Sequence, residues 1–332
     1  MTNYFFFFLF FLNLYSQKES PFENLNFIKN ISNTNNETYK QELDKLITEE
    51  VSEIDIIKKQ ILVATKYGDL KKIILLLNRQ IEIEGENPDL LYQIGGTNGI
   101  LALQKKNFFS IIYLNEMLES FSKALDLDPN HIPTLEAYID ALYSVPKILG
   151  GDKKKAIKLA ERLIQISKIE GYLSMAIIYF KNENKEMSNL YLNNFFEELS
   201  SLSICESENL KIYFSKKSNN FPVKISQITS FFEKEVDSGL CALNFYMESS
   251  NIKKNLYSLE WIYYLKSKLT FLNGNREESI RLIKLSLDLN PDFELSKTFL
   301  NGNREESIRL IKLSLDLNPD FELSKTFLRK IL

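Results

Sequence analysis

The stretch LESFSKALDLDPN at 118–130 decides the fold, and it returns as IRLIKLSLDLNPD at 280–292 and again at 308–320. Each is an amphipathic run with apolar residues three and four apart, closed by Leu-Asp-Leu-(Asp/Asn)-Pro. Proline cannot continue a helix, so each run reads as the second helix of a helical hairpin with its own stop signal. Composition agrees. Gly (11) and Pro (8) are scarce in a chain that is 44% apolar, which suits long helices with few tight turns. An all-α chain is expected. With 41 basic and 44 acidic residues, the net charge of −3 gives no concentrated basic surface, so nucleic acid is not expected as a partner.

Upstream, MTNYFFFFLFFLNLYSQ holds an apolar run from Tyr4 to Leu12. It is about half of the ~20 residues a membrane-spanning helix needs, and it has the length of a signal-peptide core. Residues 1–16 are therefore read as a signal peptide, with a buried or membrane-resting N-terminal segment as the alternative. No Lys or Arg precedes the run, and Leu14 is bulky for the third position before a cleavage after Ser16. Residues 17–36 read as an Asn-rich linker, and no membrane span is expected after cleavage. Over 37–99, Leu43, Leu46 and Ile47, then Ile54, Ile57 and Ile61, then Leu70, Ile73, Ile74 and Leu77 fall at helical spacing, broken at Tyr67-Gly68-Asp69. Helical hairpins follow from that pattern, and Pro88 is placed to begin the next helix. Gly95, Gly96 and Gly99 lack the flanking strand and the Lys-Ser/Thr of a nucleotide loop, so close helix packing is the expected reason for them.

At 100–199 and 252–328 the residues reach a family resemblance. Phe121, Ala124 and Pro129 keep spacings of three and five, and Tyr172, Ala176, Tyr179, Ser188 and Leu192 alternate bulky and small. In this the chain resembles tetratricopeptide repeats, helix–turn–helix units of 34 residues. The resemblance implies a right-handed superhelical stack of antiparallel helical hairpins, a tetratricopeptide-like α-solenoid. It also implies a non-enzymatic scaffold that binds an unidentified protein or peptide and needs no cofactor. Ala156 comes about five residues late for the standard unit, and Glu183 stands where glycine is usual. The insertion Pro146-Lys-Ile-Leu-Gly-Gly-Asp152 resembles exported bacterial repeat proteins. Through the T-component of TRAP-type transporters, it implies an alternative role as a small-ligand-binding accessory protein. A closed apolar pocket from helices near 95–145 would favour that role. Leu-Tyr-Ser before Gln17 resembles signal peptides of Bacteroidetes-type bacteria, implying a periplasmic or secreted location.

Between 200 and 250 the resemblance fades. One helix, about 224–236, is expected there, and KIYFSKKSNNFPVKI reads as strand or loop. In 251–332 the unit FLNGNREESIRLIKLSLDLNPDFELSKT, 271–298, recurs unchanged at 299–326. Such identity among diverged repeats means a recent duplication or an assembly error. The added first helix, 293–300, is about two turns long and needs packing to persist.

The candidate site residues are few. Cys205 and Cys241 either form a disulfide or are two small core residues. With His131 as the only histidine and no activating motif beside a serine or cysteine, neither a catalytic constellation nor a metal site is expected. The run Asp152 to Lys155 reads as a solvated helix start, with an anion-binding patch as the alternative. Tyr257, Trp261 and Tyr264 form an aromatic stripe that is either hairpin core or, with Tyr263, part of a partner-binding surface.

Overall fold

The computed structural model describes residues 37–47, 52–104, 109–202, 205, 213–214, 221–248 and 257–302. The chain divides into two compact units, Met1–Leu256 and Tyr257–Leu332. The described residues are helical apart from turns and an isolated bridge residue at Tyr257, as an all-α chain requires. The signal-peptide and linker readings for 1–36 lie outside the described residues.

In unit 1 the helices are α1 (Glu37–Ile47), α2 (Glu53–Tyr67), α3 (Leu70–Glu84), α4 (Pro88–Gln104), α5 (Phe109–Leu127) and α6 (Ile132–Ser144), followed by α7 (Lys153–Ile166), α8 (Lys168–Lys181), α9 (Lys185–Ser201), α10 (Phe221–Phe232) and α11 (Val236–Glu248). They pack as successive hairpins, α2 with α3, α4 with α5, α6 with α7, α8 with α9 and α10 with α11. Their boundaries follow from short polar signals. Ser52 caps α2 by accepting the Asp55 N–H at 3.2 Å, and Gly68 ends that helix at φ 67°. Asp69 accepts the Lys72 N–H and the Tyr39 hydroxyl, each at 3.0 Å, so one carboxylate starts α3 and ties α1 to it. Pro88 is the first residue of α4, and α5 ends at Leu127, just before Asp128-Pro129.

Small residues set how closely the helices approach. A Cβ on Gly95 would lie 2.5 Å from the Phe121 ring and one on Gly99 2.9 Å from Met117 Sδ, so these two glycines serve packing against α5 while Gly96 faces open space; all three sit within a helix, where no phosphate loop forms. In the α8–α9 hairpin the buried Ser188 hydroxyl donates to the Ala176 carbonyl at 3.0 Å, closing the contact without an orphaned polar atom. Between the two hairpins, Phe121, Leu135, Ala156 and Leu163 share one core cluster, while Leu173, Phe195, Phe221 and Ala242 share another that joins α8 to α11.

The expected helix at 224–236 is corrected. α10 runs Phe221–Phe232, and a separate α11 begins at Val236. The turn between them puts Glu233 at φ 53° and Glu235 at φ 51°, left-handed conformations that glycine or asparagine usually signals and glutamate does not. The segment is thus a hairpin of its own, and Phe221–Ile225, expected as strand or loop, opens its first helix. Cys205 and Cys241 are joined in a disulfide, with Cα atoms 5.4 Å apart and 36 residues of separation. Loop-closure entropy for that span gives about 4 kcal/mol in the chain-entropy model. Reduction by dithiothreitol, or Cys205→Ser, should lower the urea midpoint accordingly; an unchanged midpoint would show that the crosslink constrains nothing.

Glu183, between α8 and α9, sits at φ 58°, and Gly274 occupies the matching seat in unit 2 at φ 84°. In both turns the next residue caps the following helix, Asn184 accepting the Met187 N–H and Asn275 the Glu278 N–H, each at 3.1 Å. The glutamate has therefore been fitted into a glycine turn at a local cost. Glu183→Gly should raise stability by up to about 1 kcal/mol, read as a higher urea midpoint.

Unit 2 contains α12 (Leu259–Leu272), α13 (Arg276–Leu289) and helical residues 294–302. α13 stops at Leu289 before Asn290-Pro291, as the repeated phrase predicts. The Ser267 hydroxyl donates to the Ser279 carbonyl at 2.8 Å across the hairpin. The short added helix is held by packing: Phe299 meets Tyr264 edge-on at 6.0 Å and Phe271 at 5.7 Å, and Ser296 bonds Ser286 at 2.7 Å. Of the second copy, residues 299–302 are described, and the remainder with the expected final helix lies outside the described residues.

Candidate functional site

The aromatic stripe is core. Tyr257, Trp261 and Tyr264 are 6%, 2% and 7% exposed, and among the four candidates only Tyr263 keeps partial exposure. Tyr257 stacks on Trp261 with ring centroids 5.2 Å apart, and Tyr264 takes the edges of Phe293 and Phe299. Helical period explains the correction: Trp261, Tyr264, Leu265 and Leu269 fall on the inward face of α12, and Tyr263 is rotated off it. The partner surface expected from these four residues is reduced to Tyr263.

His131 is equally committed to structure. Its Nδ1 lies 2.7 Å from Thr134 Oγ1 and its Nε2 lies 3.1 Å from Asp89 Oδ1, joining the start of α6 to the start of α4. An Asp–His–hydroxyl series resembles a nucleophilic triad in residue type only. Thr134 is fully buried, so no substrate carbonyl can approach its oxygen. Burial, with Glu136 and Asp89 nearby, pushes the neighbouring Tyr92 hydroxyl up to about 12, so it stays protonated and is no general base at neutral pH.

The lysine run resolves into separate tasks. Asp152 caps α7 by accepting the Lys155 N–H at 3.0 Å, Lys153 lies over the Tyr143 ring at 4.8 Å, and Lys155 donates to the Tyr138 hydroxyl at 3.0 Å. On α6, α8 and α10, cations and carboxylates are matched: Lys181 with Asp140 at 2.6 Å and Lys224 with Glu136 at 2.7 Å. In this second group each cation has a carboxylate of its own. Among the described residues no group of three or more His, Cys, Asp and Glu is placed to hold a metal ion. No helix among them is long and apolar enough to cross a membrane.

What remains is a trough in unit 1 of about 400 Å³, floored by α4 and walled by α3 and α5. Ile74 and Ile81 from α3, Leu91 and Ile94 from α4, and Ile112 from α5 supply its apolar lining. Asn78, Asn98 and the Tyr113 side chain add polar groups, with Lys71, Glu86, Glu116 and Lys123 at the rim. Asn98 is 4% exposed and makes no side-chain hydrogen bond with any described residue. These residues are absent from the sequence-based candidates. The available signal was a carboxamide, a poor helix former, placed between Ile94 and Leu101 on an inward helix face.

No protein-family model matches the chain, and no curated protein does. Among solved structures, a tetratricopeptide repeat protein from Parabacteroides merdae ATCC 43184 is similar, at 15% identity, over 89% of this chain and 99% of that one, with a TM-score of 0.30. No position of this chain is assigned from that likeness. The resemblance to tetratricopeptide repeats rests on the chain's own hairpins: small buried residues at the helix contacts, left-handed turns at Glu183 and Gly274, and helices stopped before Pro129 and Pro291.

Proposed function

We propose that the protein is an exported, non-enzymatic scaffold of tetratricopeptide-like hairpins that binds a protein or peptide in the periplasm or outside the cell. The observation that carries the binding reading is the trough, a solvent-open recess crossing three helices with mixed apolar and carboxamide lining. The ionisable groups one would look to for catalysis are instead engaged in caps, ion pairs and ring contacts, as His131, Asp152 and Lys155 illustrate. Export is supported by the apolar run Tyr4–Leu12, which has a signal-peptide length. The accessory-transport alternative is less favoured, because the recess is open and mixed in its lining where a small-solute carrier calls for a closed apolar pocket.

The test is photo-crosslinking of the chain from residue 17 in its native envelope and medium fractions, with adducts mapped by mass spectrometry. Polypeptide adducts on unit 1 are expected. Exclusive recovery of a small solute would overturn the scaffold reading. Fractionation of the tagged full-length chain should find it outside the cytosol and lacking residues 1–16; an uncleaved cytosolic chain would remove the export claim.

A further inference from the structure

We propose that the 146–152 loop, with the outer face of α7, docks on an anionic lipid surface, Ile148 entering the headgroup region while lysines meet the phosphates. This surface shares no residue with the trough. Ile148 is 89% exposed, well beyond the next large apolar side chain, Leu75 at 61%. A single exposed isoleucine is ordinary on a slack surface; this one is held out by a fixed loop. Residues Lys147–Leu149 form one 3₁₀ turn, and the Leu149 and Gly151 N–H groups donate to the Pro146 carbonyl at 2.8 and 3.2 Å. Gly150 follows at φ 98°, and Leu118 of α5 stands so close that an added Cβ there would lie 2.9 Å from it. Leu149 packs on the core cluster shared by α5, α6 and α7. The turn is thus anchored by one aliphatic side chain and presents its neighbour to solvent.

Charge is concentrated beside the isoleucine. Over 147–158 five lysines stand against one carboxylate, Asp152, for a net of +4 in a chain whose net charge is −3. Asp152 is already used as the α7 cap. Lys153 and Lys155 lie over the Tyr143 and Tyr138 rings, contacts that position an ammonium without neutralising it. Lys147, Lys154 and Lys158 are exposed and form no ion pair with any described residue. Lys154 and Lys158 share the outer face of α7, opposite the buried Ala156 and Ala160, and on the next turn Glu161 is offset by Arg162. The partner is decided by what the loop withholds. The N–H groups of residues 149–152 all donate within the loop or to Leu142 of α6, so little directional bonding is on offer. Apolar burial and diffuse positive charge remain, and a bilayer surface answers both, with phosphates outside and hydrocarbon beneath. The docking is peripheral, since no described helix is long and apolar enough to cross a membrane.

Vesicle co-sedimentation tests this on the chain from residue 17, which keeps every described residue and lacks the Tyr4–Leu12 run that would itself seek lipid. Vesicles of equimolar phosphatidylglycerol and phosphatidylcholine should bind it half-maximally at about 1 mM lipid or below, and phosphatidylcholine alone at least about tenfold more weakly. Ile148→Ser should weaken binding about tenfold and Ile148→Leu should preserve it. Reversing two charges in Lys154→Glu with Lys158→Glu should weaken it at least about tenfold, each lysine being worth about fivefold at an anionic surface. All three positions are exposed, so the variants should match the native chain in far-UV circular dichroism and urea midpoint. Failure to pellet, or pelleting indifferent to these variants, overturns the proposal. Loss with the lysines but not with Ile148→Ser, together with displacement by polyglutamate, also overturns it and marks a site for an acidic protein. Displacement by inorganic phosphate at the concentration of lipid phosphate overturns it as well, marking a site for the free anion.

Discussion

Replacing Gly151 or Gly171 with alanine should destabilise unit 1 by ~3 kcal/mol or more, at or above the usual upper end for overpacking. At Gly151 an added Cβ would sit 1.7 Å from the Val145 carbonyl oxygen, and at Gly171 it would sit 2.4 Å from the Ile164 backbone nitrogen. In both cases the obstacle is main chain, which no rotamer change can clear. Gly151 belongs to the tight return from α6 into α7, where the Asp152 N–H donates to the Leu142 carbonyl at 2.9 Å. Relief there would pull apart the bond that positions the α7 cap. Gly171 lets α8 start directly against α7 after a single intervening residue, Ser167. Gly96, in the same chain but facing open space, is the control: Gly96→Ala should stabilise by about 0.5–1 kcal/mol through helix propensity alone. Urea titration followed by far-UV circular dichroism reads all three. Alanine tolerated at both 151 and 171 would mean that the close helix approaches are wrong.

Trp261→Ala should cost about 3–5 kcal/mol, the range for removing a large aromatic from a core. Trp261 is 2% exposed and stacked on Tyr257, and no smaller side chain fills that space without collapse of α12. Hydrogen exchange over 257–302 should rise sharply in this variant. Tyr263→Ala, off the buried face, should change stability by less than about 1 kcal/mol. The contrast between two neighbouring aromatics separates packing from recognition: a partner surface would tolerate loss of Trp261 and fail only in binding.

The helical punctuation was legible in the sequence because its chemistry is local. Pro129 and Pro291 stop helices, Gly68 ends α2, and Asp152 caps α7, each through a bond or clash within a few residues. The α10–α11 turn was not legible, since Glu233 and Glu235 carry no turn preference and are held left-handed by their surroundings. The aromatic stripe was visible as a period, yet a period shows that residues share a face and leaves open what covers it. Phe293 and Phe299, arriving from the next segment, cover Tyr264. The trough was hidden for the converse reason. Its walls come from three helices, a juxtaposition that no local period of the sequence reveals.

The conspicuous residues of this chain hold the hairpins together. Trp261, the single tryptophan, reports on it directly through its fluorescence in the folded full-length chain. A blue-shifted emission that resists acrylamide quenching, and that turns red-shifted and quenchable only on unfolding, is predicted. Red-shifted, freely quenched emission from the native protein would contradict the buried stripe and return Tyr257, Trp261 and Tyr264 to the binding surface.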